Sequence, residues 1–206
     1  MSGFWLITNV FLDVFPWIFL LYMPFKDRLR FSVITTGVLN YIALTIYLLI
    51  FKKITTAEFY NLDVMFSYRV VQIFVVLTLV IFLVDDYIEK SLFVYGLLLP
   101  ISVVILVWAS HINNYITIRQ SATYLDTAVL RIIISVVCFP FMYILWKKYI
   151  VPVVKTDNRR QWRQAWIIPI IFSIVSLAYC ENDFEITYMH FHQVLARFTL
   201  SIGVVI

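Results

Sequence analysis

Six stretches of roughly 20 largely apolar residues follow one another along this chain, at about 4–25, 33–51, 66–84, 91–112, 127–150 and 165–180. A seventh, about 184–206, carries Glu185, His190, His192 and Arg197 ahead of an apolar ending. Coiled as helices, runs of this length match the roughly 30 Å hydrocarbon core of a bilayer. Strands of a membrane barrel would be about ten residues long with strict alternation, whereas these runs are longer and apolar all round. A helix also pairs its backbone within the segment, as hydrocarbon demands. Hydrophobic residues make up 63% of the 206 and charged residues 14%. A soluble domain is about a quarter charged, so an ordinary soluble enzyme and a disordered regulator both fit poorly. The expected fold is an all-α polytopic transmembrane bundle of six to seven spans, one domain over 1–206, in a cell membrane. The first run lacks a preceding basic region, and no cleavable signal peptide is expected. Cys138 and Cys180 are too few for a disulfide framework and read as packed thiols.

Charge placement sets the expected orientation. The first connection holds Lys26, Arg28 and Arg30 against Asp27, and the fifth holds Lys147, Lys148, Lys155, Arg159, Arg160 and Arg163 against Asp157. The sixth holds Glu181, Asp183 and Glu185 and no base. Lys and Arg in short loops mark the cytoplasmic side, which places the N-terminus outside and the first, third and fifth connections inside. The third connection, Asp85 to Lys90, is acidic and fits this map less well. Lys26, Arg28, Arg30, Lys147, Lys148, Arg159, Arg160 and Arg163 are expected to anchor the bundle on an anionic inner leaflet. Trp146, Trp162 and Trp166 are expected at that interface, and Trp5 and Trp108 at the outer one. Trp17 fits neither. The segments 52–65 and 113–125 are expected as outer loops.

An ionisable side chain inside a span is a site by default, because it costs about 2.5–3.5 kcal/mol or more at the bilayer centre. Asp13 is the clearest case, about 13 Å into the first run at 1.5 Å per residue. Arg131 and Arg69 enter the fifth and third runs from the outer side, and either could reach Asp13. Such a pair reads first as a register-fixing ion pair and second as a ligand- or signal-linked element. Asn40 and Gln72 read first as interhelical hydrogen-bonding groups and belong to the same candidate set. Pro16, Pro100, Pro140 and Pro169 each fall inside a run, where proline bends a helix.

Motifs for chemistry are largely missing. The sequence contains no phosphate-binding Gly-rich loop, nucleophile elbow or His-Glu-x-x-His. His190-Phe-His192, with Glu181, Asp183 and Glu185 ahead of it, is the one metal-like cluster, and residues two apart on a helix diverge. No catalytic residue, metal or cofactor is expected. The basic stretch 147–163 reads as a lipid-facing patch and not as a nucleic-acid surface.

Two stretches carry a family resemblance. Phe11-Leu-Asp-Val-Phe-Pro-Trp17 leads into Met23-Pro-Phe-Lys-Asp-Arg-Leu-Arg-Phe-Ser32, and Lys147-Lys148-Tyr-Ile-Val-Pro152 is followed by Trp162-Arg163-Gln-Ala-Trp166-Ile-Ile-Pro169. These resemble the multi-span input region of clostridial-type sensor histidine kinases with a GHKL-class ATPase domain, similar to the accessory-gene-regulator quorum-sensing kinases. The specific matches cover about 40 residues. The family's phosphoacceptor helix and ATP-binding domain have no counterpart in these 206 residues, and His190 and His192 fall on the outer side of the map. The resemblance implies a homodimeric receptor module for an extracellular or membrane-borne signal, such as a peptide or small molecule. It would act through helix rearrangement and have no catalytic activity of its own. A small-solute transporter or channel is the alternative, and it requires a continuous polar path past Asp13, Asn40 and Gln72.

Overall fold

A computed structural model describes residue 12 and residues 16–50, 62–116 and 124–181. Every regular element among them is helical. Residues 16–22 form α1, which tightens into a 3-10 turn at Met23–Arg28. Then come α2 (Val33–Ile50), α3 (Leu62–Leu83), α4 (Ile88–Ile116) and α5 (Tyr124–Leu145). A π turn at Trp146–Ile150 continues α5 into α6 (Val151–Val154), and α7 (Arg159–Ala165) and α8 (Ile167–Glu181) follow.

Helix starts and stops follow local chemistry. Pro24 sits in the first turn of the 3-10 segment, where its missing N–H costs nothing. Ser32 Oγ accepts the Thr35 N–H at 3.1 Å, which meets one of the free donors at the start of α2. The π turn comes two residues before Pro152, which has no N–H for the regular ladder. Pro169 was expected inside a span. It lies in the first turn of α8 instead, so it starts that helix and does not kink it.

Helix α4 is the hub. It packs along α8 and α5 and also touches α3 and α7, while α2 packs on α3. The α4–α8 crossing is tight. A Cβ built on Gly96 would stand 2.9 Å from Pro169 Cβ and 3.0 Å from Pro169 C. Ser173 Oγ lies 2.7 Å from the Gly96 carbonyl oxygen and 2.8 Å from that of Pro169, one on each helix. The core gathers where α1, the 3-10 turn, α3, α4 and α6 converge, around Leu20, Phe25, Val80, Leu83, Val94 and Val154.

Side chains are sorted in an unusual direction. Helix α2 buries Thr36, Asn40, Leu44 and Tyr47 and exposes Ile34 (80%), Val38, Ile42 and Ile46. Helix α5 buries Ser135 and exposes Ile133, Val136, Val137 (72%), Phe141 and Ile144. Helix α8 buries Ser173 and exposes Ile168 (76%), Ile171 and Ile174. Each of these helices turns at least one small polar residue inward and a bulky apolar face outward, although α2 also buries Leu44 and Tyr47 and exposes Thr35.

Several boundaries differ from the sequence reading. Helix α3 begins at Leu62, α4 runs on to Ile116 and α5 begins at Tyr124, so both expected outer loops are partly helical. The length and composition needed to cross a membrane are met by one helix among the described residues, Ile132–Val154. Val33–Tyr47 and Val71–Leu83 are shorter apolar stretches. The seventh run lies outside the described residues.

Candidate functional site

Three connections distant in sequence meet at one end of the bundle. Leu29 and Val84 form an isolated antiparallel bridge, closed by Arg30 N–H to the Leu83 carbonyl (2.9 Å) and Asp85 N–H to the Arg28 carbonyl (2.8 Å). This fastens the first connection to the third. Just ahead of α4, Asp86 accepts the Tyr87 N–H at 2.7 Å, which sets its carboxylate on the face that Lys90 occupies one turn later.

Lys90 is the centre of the site. Its side chain is 0% exposed, and its Nζ stands 3.2 Å from Asp86 Oδ2 and 3.1 Å from Asp157 Oδ1. Arg28 spans the same two carboxylates, with Nη1 3.0 Å from Asp86 Oδ2 and Nη2 2.9 Å and 3.0 Å from the Asp157 oxygens. Two cations thus share two anions. A buried ammonium is tolerable only with such partners. Aromatic faces complete its shell. Nζ lies 5.4 Å from the Tyr87 ring centroid and 5.7 Å from that of Trp162. Trp162 is fixed by its Nε1–H donating to the Thr156 carbonyl at 2.9 Å and by an edge-to-face contact with Phe93.

Hydrogen bonding to Asp157 is the main cause that holds the Arg28 guanidinium above its ordinary range, with the Asp86 charge second. The hydrogen bonds from Arg28 and then from Lys90 hold the Asp157 carboxyl below the usual carboxylate range. Arg30 pairs with Asp85 at 3.7 Å and Lys155 with Asp27 at 3.2 Å at the rim.

These pairs divide the bases expected to anchor on lipid. Arg28 and Arg30 are held in ion pairs instead. Lys26, Lys147, Lys148, Arg159, Arg160 and Arg163 are exposed and form no ion pair among the described residues. The acids of the third connection pair with bases of the first, Asp86 with Arg28 and Asp85 with Arg30. Trp146 and Trp162 were expected at an interface and are buried in the core instead, while Trp166 is half-buried with its Nε1–H on the Arg163 carbonyl. Trp17 is half-buried against the core cluster.

Asp13 lies outside the described residues, as do His190 and His192. Arg69 falls in α3 and Arg131 in α5, and their side chains are outside the described set. Asn40 is buried. Its Nδ2 donates to the Thr36 carbonyl at 2.8 Å and its Oδ1 accepts from Tyr22 Oη at 3.3 Å, linking α2 to α1. Gln72 is half-buried on α3, and Cys138 is a free thiol on α5. No cluster of metal-ligating side chains occurs among the described residues.

Sequence reasoning passed over Asp86, Lys90, Asp157 and Gly96. A signal for the first two existed: an acid and a base four apart at the mouth of an apolar run. The partnership with Asp157 had none, since it depends on how distant loops meet. No protein-family model matches this chain, and neither does any curated protein or solved structure.

Proposed function

We propose that this chain is a multi-pass membrane module of six to seven spans that senses a signal and passes it to a cytoplasmic output domain. The observation that carries the membrane part is the inverted sorting of side chains. Ile34, Val137 and Ile168 stand out from helices that turn Thr36, Asn40, Ser135 and Ser173 inward. Water would favour the reverse arrangement, and hydrocarbon favours this one. Small and hydroxyl-bearing residues at the helix contacts, Gly96 and Ser173 among them, fit packing in lipid.

The sensing part rests on the resemblance to kinase input regions and on the site geometry. The first, third and fifth connections are bound into one ion-paired plate. A shift of any helix joined to it is carried to the others, so the plate can relay a rearrangement of the bundle. In this reading the plate faces the cytoplasm, exposed Lys147, Lys148, Arg159, Arg160 and Arg163 rest on the anionic inner leaflet, and the module works as a homodimer. A peptide or small molecule would act from the opposite end, near Asp13. Asn40 bears on the transporter alternative, because both ends of its amide are already engaged by Tyr22 and Thr36.

The test is a fusion of this chain to the kinase region of a sensor histidine kinase. Asp13→Asn and Asp157→Asn are expected to change kinase output at unchanged membrane expression. Identical output from all three proteins contradicts the relay. Solute uptake by proteoliposomes holding the chain alone would favour the transporter.

A further inference from the structure

The two carboxylates shared by Arg28 and Lys90 are not equivalent. Asp86 is 3% exposed and fixed at the foot of α4. Asp157 is 62% exposed and sits in the short connection between α6 and α7. It nevertheless takes three contacts, two from Arg28 Nη2 and one from Lys90 Nζ. Without Asp157, two cations would face one anion around an ammonium that has no exposure. Asp157 is the second anion that balances the pair of cations, and it is a removable side chain on a surface loop.

The donors suit a particular anion. A planar guanidinium fork beside a point-charge ammonium is the pairing that recognises phosphate oxygens. The approach is basic as well. Arg159 lies with its guanidinium 5.3 Å from the Tyr87 ring centroid, and neither it nor exposed Arg160 forms an ion pair among the described residues.

We propose that Arg28 and Lys90 form a socket for a phosphate-bearing group, and that Asp157 occupies it as an intramolecular competitor. The entering phosphate takes over the Arg28 Nη2 and Lys90 Nζ hydrogen bonds, and Asp157 leaves. Its departure releases the Asp157 loop from Arg28 and Lys90, while Asp86 keeps the first and third connections joined and Lys155 with Asp27 still ties the fifth to the first at the rim. This deepens the membrane reading above, which sets the socket at the level of the inner-leaflet headgroups, and a phosphate monoester headgroup is the ligand class it fits. The same chemistry is offered by free phosphate.

The test uses the full chain, labelled with 15N at tryptophan, in an uncharged detergent. The Trp162 indole N–H bonds to Thr156, beside Asp157, so its crosspeak reports the loop. It is identified by its loss in Trp162→Phe. Dihexanoyl phosphatidic acid and inorganic phosphate are titrated separately, with dihexanoyl phosphatidylcholine, a zwitterionic phosphodiester of no net charge, as the control expected to leave the crosspeak in place. Phosphatidic acid is expected to move the crosspeak saturably, and Asp157→Asn to lower the half-saturating concentration at least tenfold. A shift in Asp157→Asn alone also supports the competitor role. Arg28→Gln and Lys90→Met are expected to abolish the saturable shift, while Lys147→Gln with Lys148→Gln leaves it in place. A response to both probes assigns the phosphate group itself, and a response to the lipid alone assigns the headgroup. The proposal is overturned if neither probe moves the crosspeak in Asp157→Asn, if both proteins saturate alike, or if Arg28→Gln binds as well as wild type. The phosphate arm needs no bilayer, so its failure is separate from a failure of the membrane topology.

Discussion

Lys90 Nζ stands 3.1 Å from Asp157 Oδ1, a partner 67 positions further along the chain. The same ammonium meets Asp86 four residues before it. One contact is local and buried, the other long-range and at the surface. That difference sets the consequences of removing each.

Asp86→Asn is expected to destabilise the protein by about 3–5 kcal/mol, because it strips a buried partner from an ammonium with no exposure. Asp157→Asn is expected to have a much smaller effect, since that carboxylate is largely in solvent. Thermal unfolding of both variants in the same detergent measures the gap.

The Asp157 contacts carry a pH signature. Its folded pKa lies below the unfolded value, which is about 3.9 for Asp. Its contribution is therefore fully present above the unfolded pKa and disappears as pH falls through the lower folded one. The facing groups are Arg28 and Lys90, with Asp86 sharing both. The Trp162 indole crosspeak is expected to hold still from pH 8 to 5 and to move below about pH 4. Asp157→Asn should remove the acid transition.

Two glycines separate packing from helix propensity. Gly96→Ala would push a methyl against Pro169, and is expected to cost about 1–3 kcal/mol by overpacking. Gly37→Ala meets nothing within 4 Å and is expected to be neutral or to stabilise α2 by up to about 1 kcal/mol. Unfolding measurements on the pair check the order.

Val137 tests the identity of the solvent around α5. In water a lysine at so exposed a position is harmless or favourable. In hydrocarbon it costs about 2.5–3.5 kcal/mol. Val137→Lys is expected to lower the yield of folded protein in membranes sharply, and an unchanged yield contradicts a lipid-facing α5.

The helical architecture was legible because long apolar runs leave few options. The expected 33–51 run became Val33–Ile50, and the 165–180 run became Ile167–Glu181. Loop edges were read less well. Residues 113–116 are polar in part, yet they continue α4, since a helix already formed extends at low cost. The burial of Trp146 and Trp162 was hidden, because a tryptophan beside lysines looks alike whether it faces headgroups or packs inward. The Lys90 site was hidden for a related reason. Its charge balance depends on residues from three connections, and composition along the chain treats each connection alone.

The central claim is a membrane-spanning bundle whose ion-paired plate lies inside the cell. Surface labelling of intact cells with a membrane-impermeant maleimide tests it most directly, on a chain with Cys138 and Cys180 replaced by alanine. Ser2→Cys is expected to label on intact cells, and Gln161→Cys, exposed beside the plate, only after permeabilisation. Labelling of Gln161→Cys on intact cells, or recovery of the chain in the soluble fraction, would contradict the account.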